Sequence, residues 1–251
     1  MKIKIATYNI HKGIGGVDRR YRLERIVEVI RHYGPDVVLL QEVDDGVPRS
    51  MRDRQAARIA RLTGLEYLQF QPNVRLREGV YGNAILSRFQ IHDPVDIELT
   101  IPLKKRRRAQ VAQINLVHAD RQRSVTVVNV HLGLAGFERR IQLTRLLRHS
   151  TFESLPPSSP CLMGGDFNDV WGVIGRRIMK PAGFESASKC KRTFPAVAPM
   201  RPLDAIYYRG DCVPREVFAG QINLARKASD HLPLIAEFEI GLDNQAVIPS
   251  S

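Results

Sequence analysis

The sequence predicts an α/β protein in which two β-sheets pack together with helices outside, and three features carry that reading. Nine stretches read as strands and only three as helices. Each half of the 251-residue chain holds a strand, a helix and a strand in succession. In the first half, residues 3–8 lead into Asn9, and Val37-Val38-Leu39-Leu40 leads into Gln41 and Glu42. In the second, residues 125–130 lead into His131, and Cys161-Leu162-Met163 leads into Gly164-Gly165-Asp166-Phe167-Asn168. Asn9 and Glu42 lie 33 residues apart, and His131 and Asp166 lie 35 apart. That is the length a strand, a crossover helix and a parallel strand require. Polar residues at the carboxyl ends of such strands are where α/β sheets bind ligands.

Taken in order, strands are expected at 3–9, 37–42, 66–70, 82–87, 109–118, 124–131, 161–166, 204–208 and 232–240. The first helix spans 22–34, because Leu23, Ile26, Val27, Ile30 and Tyr33 recur at helical spacing and Gly34-Pro35 stops the run. A second, at 51–63, repeats this more weakly through Ala56, Ile59, Ala60 and Leu62 and ends at Gly64. A third, at 137–150, carries Phe137, Ile141, Leu143, Leu146 and Leu147 among arginines. The Ser- and Pro-rich stretch 154–160 closes the second unit as a loop. Candidate site residues lie on both sides of it, so one domain is expected over 1–242, with 243–251 as a C-terminal tail.

Composition bounds the function classes. The chain is 43% hydrophobic and 25% charged, ordinary for a globular protein. Three scattered cysteines without a C-x-x-C pair indicate neither a disulfide framework nor a structural zinc site, so a reducing compartment is expected. The first residues run directly into a strand pattern, and no apolar stretch approaches the ~20 residues of a membrane span. The expectation is a cytoplasmic protein. The net charge of +12 gathers in Lys104-Lys105-Arg106-Arg107-Arg108, Arg176-Arg177 and other clusters. Such a balance favours polyanions, whether nucleic acid or an anionic phospholipid surface, as partners. Gly13-Ile14-Gly15-Gly16 lacks the helix and third glycine of a dinucleotide fingerprint, and no Walker loop, His-Glu-x-x-His or Gly-x-Ser-x-Gly occurs.

Six segments in order carry a resemblance: Thr7-Tyr8-Asn9-Ile10-His11, Leu40-Gln41-Glu42-Val43, Gly82-Asn83-Ala84-Ile85-Leu86-Ser87, Asn129-Val130-His131-Leu132, Gly165-Asp166-Phe167-Asn168 and Ser229-Asp230-His231-Leu232-Pro233-Leu234. Each is weak alone, but six in register over residues 3–240 resemble the endonuclease/exonuclease/phosphatase, or deoxyribonuclease I-like, superfamily. The resemblance implies a four-layer α/β sandwich of two packed mixed β-sheets flanked by helices, with the site at one end of the sheets. It implies divalent-metal-dependent phosphoester hydrolysis by a phosphodiesterase or nuclease. Such chemistry needs an oriented water, neutralisation of the phosphate and help for the leaving oxygen. Mg²⁺ or Mn²⁺ suits the second task, since such ions prefer oxygen ligands and need only one or two carboxylates.

Glu42 is the best candidate ligand, with Asn9 beside it at an adjacent strand end, and Asp230 is a second or water-mediated one. By the resemblance, Asp166 orients or deprotonates the attacking water, and Asn168 holds Asp166 or a phosphate oxygen. His131 and His231 match the two histidines that flank the scissile phosphate, and Asp204 the aspartate that fixes the tautomer of the C-terminal histidine. Asn83 and Arg108 are candidate substrate contacts. His11 is the remaining histidine to watch because it follows the Asn9 strand, while Trp171 and Phe184 read as core or rim. The short run from Thr193-Phe194-Pro195 to Leu203-Asp204 departs from apurinic endonucleases, which carry aromatic-rich insertions there, and leaves little room for a lesion pocket. Nucleic acid is the first expectation for substrate, a phospholipid or small phosphodiester the second, and a non-catalytic nucleic-acid-binding protein the third. The intact polar set argues against the third.

Overall fold

The computed structural model describes residues 1–118 and 121–241, so the expected tail at 243–251 lies outside the described residues. One sheet contains β1 (Lys2–Asn9), β2 (Val37–Asp45), β3 (Tyr67–Arg75), β4 (Val80–Ser87), β11 (Cys212–Ala219) and β12 (Leu234–Ile240), in the order β11-β12-β1-β2-β4-β3. The other contains β5 (Ile91–Glu98), β6 (Arg108–His118), β7 (Arg121–His131), β8 (Cys161–Asp166), β9 (Glu185–Ser186) and β10 (Asp204–Arg209), in the order β5-β6-β7-β8-β10-β9. Each sheet has one parallel pair, β1 with β2 and β7 with β8, and antiparallel neighbours elsewhere. These parallel pairs are the two units read from the sequence.

Both faces of the central strands are buried, which is why Val37-Val38-Leu39-Leu40 is apolar throughout. Alternate residues point to opposite faces. Ile3, Ile5, Val37, Leu39 and Ile85 meet Ala112, Ile114, Val125, Val127 and Leu162 between the sheets. Tyr8, Val38 and Leu40 face α1 (Leu23–Tyr33) and α2 (Gln55–Thr63). Val128, Val130 and Met163 face α3 (Gly136–Leu147) and α4 (Ser150–Glu153). A short α5 (Ala225–Ala228) packs beside α1, completing four layers. Gly34 and Gly64 end α1 and α2 in the left-handed conformation, as glycine permits. No described helix is long and apolar enough to cross a membrane.

Three strands escaped the sequence reading, β5, β9 and β11, and all three are sheet edges. β9 is only two residues long, and β5 and β11 each contain a proline, Pro94 or Pro214, which an edge tolerates and a sequence pattern reads as a break. The third helix also differs. Phe137 and Ile141 are exposed, while Glu138 and Gln142 are buried together with Leu143 and Leu146. Gln142 explains its own burial by accepting the Gly133 N–H at 2.8 Å, which fixes the turn after His131.

The gap between the sheets turns polar toward the strand ends. Gln41 Nε2 lies within hydrogen-bond distance of Thr7 Oγ1 at 3.0 Å and Asn129 Oδ1 at 2.8 Å. Asn129 Nδ2 in turn reaches the Leu40 and Ala84 carbonyls at 3.0 Å and Gln110 Oε1 at 3.2 Å. These amides join the sheets directly beneath the ends of β1, β2, β7 and β8. A buried acceptor left unpaired costs about 1–3 kcal/mol. Asn129→Ala should therefore lower the unfolding free energy in urea by on the order of 3 kcal/mol. A loss below about 1 kcal/mol would mean that the junction is not needed to hold the sheets.

Candidate active site

Alternation along the strands decides which polar residues meet. Asn9, His131 and Asp166 follow Thr7, Asn129 and Gly164 on the faces turned toward the opposite sheet, at the last position of their strands. His131 and Asp166 are register partners across the parallel pair β7–β8. They close the mouth of the gap, and Asn9 meets them from the other sheet by donating from Nδ2 to Asp166 Oδ2 at 3.0 Å. Gly165 lets β8 lie this close to β7 next to the site, because a Cβ there would stand 2.0 Å from the Val130 carbonyl oxygen.

Asp166 is the hub. Its Oδ1 accepts the Asn168 N–H at 3.0 Å, and its Oδ2 lies 3.6 Å from His131 Nε2 and 3.8 Å from His231 Nε2. Asn168, held in the left-handed region at φ 52°, donates from Nδ2 to the Leu132 carbonyl at 3.0 Å. His231 Nδ1 faces Asp204 Oδ2 at 2.8 Å, so its other nitrogen faces Asp166. Thr193, which the sequence reading passed over, donates its hydroxyl to the same Asp204 oxygen. Ser229 donates to the Asn9 carbonyl at 2.8 Å and accepts the His231 N–H at 3.2 Å, tying the C-terminal histidine to β1. Asp204 Oδ1 is buried without a partner.

The electrostatics follow from this burial. Loss of water and the nearby Asp204 push the Asp166 carboxyl up to about 6, against the opposing pull of His231 and the Asn9 and Asn168 donors. Burial works against a charged His231, but Asp204 and Asp166 outweigh it and raise its pKa to about 10. His131 goes the other way: burial, Arg107 and Lys105 hold it well below the usual range, so it is neutral at pH 7. One histidine carries a proton and the other does not.

Glu42 reaches the site by a different route. Gln41 and Glu42 together oppose Asn83, since Leu40 pairs with Ala84 and Val43 with Gly82. Glu42 occupies the left-handed region at φ 58° in this bulge. Asn83 is buried opposite it and donates to Gln71 Oε1 at 3.3 Å. Burial disfavours the Glu42 carboxylate, yet positive charge at His131, when it is protonated, and at Lys12 and Lys105 holds its pKa far below the ordinary range. Lys12 forms an ion pair with it. Asp230 faces His11, with Oδ1 3.8 Å from Nδ1. Arg108 is held by Glu98 at 3.2 Å and Asp96 at 3.9 Å.

The donor chemistry fits a divalent cation. Glu42 is an ionised oxygen ligand that already attracts a cation, Lys12. In addition, Asp166, Asp204 and His231 each bring one donor atom within 4.8 Å of the others, a group that could hold a metal ion. In that group Asp204 and His231 are already spent on each other. Beside Asp204 opens a cleft of about 510 Å³ between Phe167, Trp171, Arg176 and Tyr207. The 167–190 segment supplies most of its wall, not the short run before Asp204. Phe184 is core, whereas Trp171 stands exposed at the rim.

In metal-free protein the His231 ring should be an imidazolium at pH 8 and titrate near 10 by nuclear magnetic resonance. The carboxylates raise this pKa, so Asp204→Asn should lower it. The stabilisation tied to this proton is complete below about 6.5 and is lost as pH climbs through about 10. An unchanged titration in Asp204→Asn would mean that Asp204 does not set the state of His231.

The family model for the endonuclease/exonuclease/phosphatase family matches residues 6–231. The uncharacterized protein YbhP of Escherichia coli K12 is 29% identical over 248 residues, covering 94% of this chain and 96% of its own. Among solved structures, an endonuclease/exonuclease/phosphatase from Beutenbergia cavernae superposes with a TM-score of 0.77 at 20% identity, over 96% of this chain and 72% of that one. ANGEL2, a 2′,3′-cyclic phosphatase in complex with adenosine-2′,3′-vanadate, gives 0.71 at 17% identity over 96% of each chain. At these identities the structures establish a shared fold. The family match, which begins in β1 and ends at His231, takes in every residue of the polar cluster, and the chain belongs to the endonuclease/exonuclease/phosphatase family of phosphoester hydrolases.

Proposed function

We propose that this protein is a divalent-metal-dependent phosphodiesterase acting on nucleic acid. The observation that carries the reading is the pairing at Asp166 of a neutral His131 and a protonated His231, both within 4 Å of one carboxylate oxygen. Enzymes set such opposed protonation states where one group must take a proton and another must give one.

Glu42, with Asn9 and Asp230, would hold Mg²⁺ or Mn²⁺. When bound, the ion neutralises phosphate charge and polarises the phosphorus–oxygen bond. Asp166, with its pKa raised toward neutrality, accepts a proton from the attacking water through Oδ2, while Asn9 and Asn168 fix the orientation of its carboxylate. His131 donates a hydrogen bond to the phosphate in its neutral form. The new bond joins water oxygen to phosphorus, and the bond to the leaving oxygen breaks. His231 supplies positive charge and a proton toward the leaving oxygen from Nε2. Asp204 and Thr193 act through His231, and an oriented pair of this kind spares the cost of reorganisation during reaction.

The charge of +12 supports a polyanionic substrate. The cleft beside Asp204, rimmed by exposed Trp171 and by Arg176, supports one with planar bases, since bases stack on aromatic rings. ANGEL2 is described with an adenosine ligand, which supports the same class.

Activity on bis(p-nitrophenyl) phosphate should vanish in chelator and return with Mg²⁺ or Mn²⁺. Glu42→Gln should raise the metal concentration needed for half-activity by at least ~10-fold, because it removes the ionised ligand. Full activity persisting in chelator would overturn the metal assignment.

The substrate class is tested with single- and double-stranded DNA, RNA and phospholipid vesicles. His231→Ala, expected to lose at least ~10²-fold in kcat, is the blank. Nucleic-acid binding should weaken with salt, with a log–log slope of about −0.9 per neutralised phosphate on duplex DNA. Cleavage of phospholipid alone, without salt-sensitive nucleic-acid binding, would refute the nuclease reading and leave the phosphodiester chemistry standing.

A further inference from the structure

The basic run from Lys104 to Arg108 reads in sequence as one solvated patch, and the fold divides it by parity. Lys104 pairs with Glu138 at 3.1 Å, while Arg106 and Arg108 pair with Glu98 at 3.3 and 3.2 Å. Among the described residues, Lys105 and Arg107 have no ion-pair partner, and both turn toward the site. Lys105 Nζ stands 4.8 Å over the Tyr81 ring, with Lys12 and Arg49 at 5.7 and 5.6 Å from the same ring. Of these cations Lys12 is matched by Glu42, and Arg49 by Asp44 through two bonds of 2.8 and 2.7 Å. Lys105 and Arg107 are left as a surplus of two positive charges.

The surplus is built into the fold. Arg107 is 5% exposed, and its Nε has no hydrogen-bond partner. Tyr81 is 4% exposed, and its hydroxyl, beside Glu42, makes no hydrogen bond of normal geometry. Burying a guanidinium with an unspent N–H is costly unless something arrives to accept it. The pocket borders the catalytic cluster, because the fields of Arg107 and Lys105 are among those acting on His131. A scissile phosphodiester brings one negative charge, which the divalent cation proposed above would neutralise. Two further cations call for a further anion.

We propose that Tyr81, Lys105 and Arg107 form a subsite for a second phosphate group, adjacent to the one that is hydrolysed. This rests on the phosphodiesterase reading above and narrows the substrate to molecules with two neighbouring phosphates. A nucleic-acid backbone supplies one as the next linkage, and a chain end supplies one as a terminal phosphate. Guanidinium and ammonium donors to phosphate form strong charge-assisted hydrogen bonds, which sets the expected size of the effect.

The test compares kcat/KM for the dinucleoside monophosphate TpT, its 5′-phosphorylated form pTpT and the trinucleoside diphosphate TpTpT. In the wild-type protein, pTpT, TpTpT or both should exceed TpT by at least ~10-fold, about 1.4 kcal/mol. A gain for TpTpT assigns the subsite to a backbone phosphate, and a gain for pTpT alone assigns it to a terminal one. Lys105→Gln, a change on an exposed side chain, should bring these ratios to near unity, and Lys105→Arg should retain them. Ratios near unity in the wild type, or ratios that survive Lys105→Gln, would overturn the subsite. If none of the three is cleaved, the phosphodiesterase reading fails on nucleotides and the subsite is decided by calorimetry. Chelator-treated protein should then bind pyrophosphate at least ~10-fold more tightly than inorganic phosphate, an advantage that Lys105→Gln removes. Equal affinity for the two anions, or an advantage that survives the substitution, would reject it.

Discussion

The site exists only because the two sheets dock in one register, and the buried amides of Asn129 and Gln41 are the contact that sets it. Apolar surfaces can slide on one another at little cost, since their attraction is non-directional. Directional bonds cannot. Asn129 reaches the Leu40 and Ala84 carbonyls of the opposite sheet, and Gln41 reaches Asn129, so a shift by one residue would leave several buried groups unpaired. One residue pair further along, the same registration lets Asn9 on β1 donate to Asp166 on β8. The polar cluster is thus an extension of the junction that holds the sheets.

That cluster is expensive. Asp166, Asp204, His131 and His231 are all buried, and burial alone disfavours every charge among them. A structural ion pair would spend its charges on each other and be done. Here Asp204 and His231 do so, but Asp166 is left between two imidazoles at 3.6 and 3.8 Å, beyond hydrogen-bond distance from either. Titratable groups held at such distances with pKa values pushed apart are characteristic of sites that move protons. The cost is carried by the sheet core below, where Ile3, Ile5, Leu39, Val127 and Phe238 are among the fully buried side chains.

Much of this was legible in the sequence because it depends on period-two alternation and on chain length. The two parallel units, the central strands and the strand-end residues follow from apolar runs that stop at polar residues after a fixed separation. What escaped has a common cause in tertiary context. The edge strands β5 and β11 contain prolines that only an edge accepts. The buried face of α3 includes Glu138 and Gln142 because Lys104 and the Gly133 amide reach them from other elements. Thr193 is eleven residues from Asp204 in a loop, and nothing local marks its hydroxyl as the partner of that carboxylate. The basic run was visible as charge, but which of its members meet carboxylates depends on Glu98 and Glu138, and these belong to β5 and α3.

Glu42 is where the two halves of the molecule part ways. In β7–β8 the terminal residues His131 and Asp166 are register partners, and alternation alone points both into the gap. In β1–β2 the corresponding partner of Asn9 is Gln41, which alternation sends down into the sheet junction. Glu42, the next residue, would by the same rule face the helices. The bulge opposite Asn83, with φ at 58°, breaks the rule and frees the carboxylate to meet Lys12. One inserted residue therefore lets this strand serve two purposes: Gln41 locks the sheets, and Glu42 presents an ionised carboxylate. In the function proposed above, the regular half would supply the proton-handling groups, and the irregular half the carboxylate for a cation. A left-handed residue inside a strand is a strain that proteins retain mainly at functional sites, and here it separates structure from chemistry within two consecutive residues.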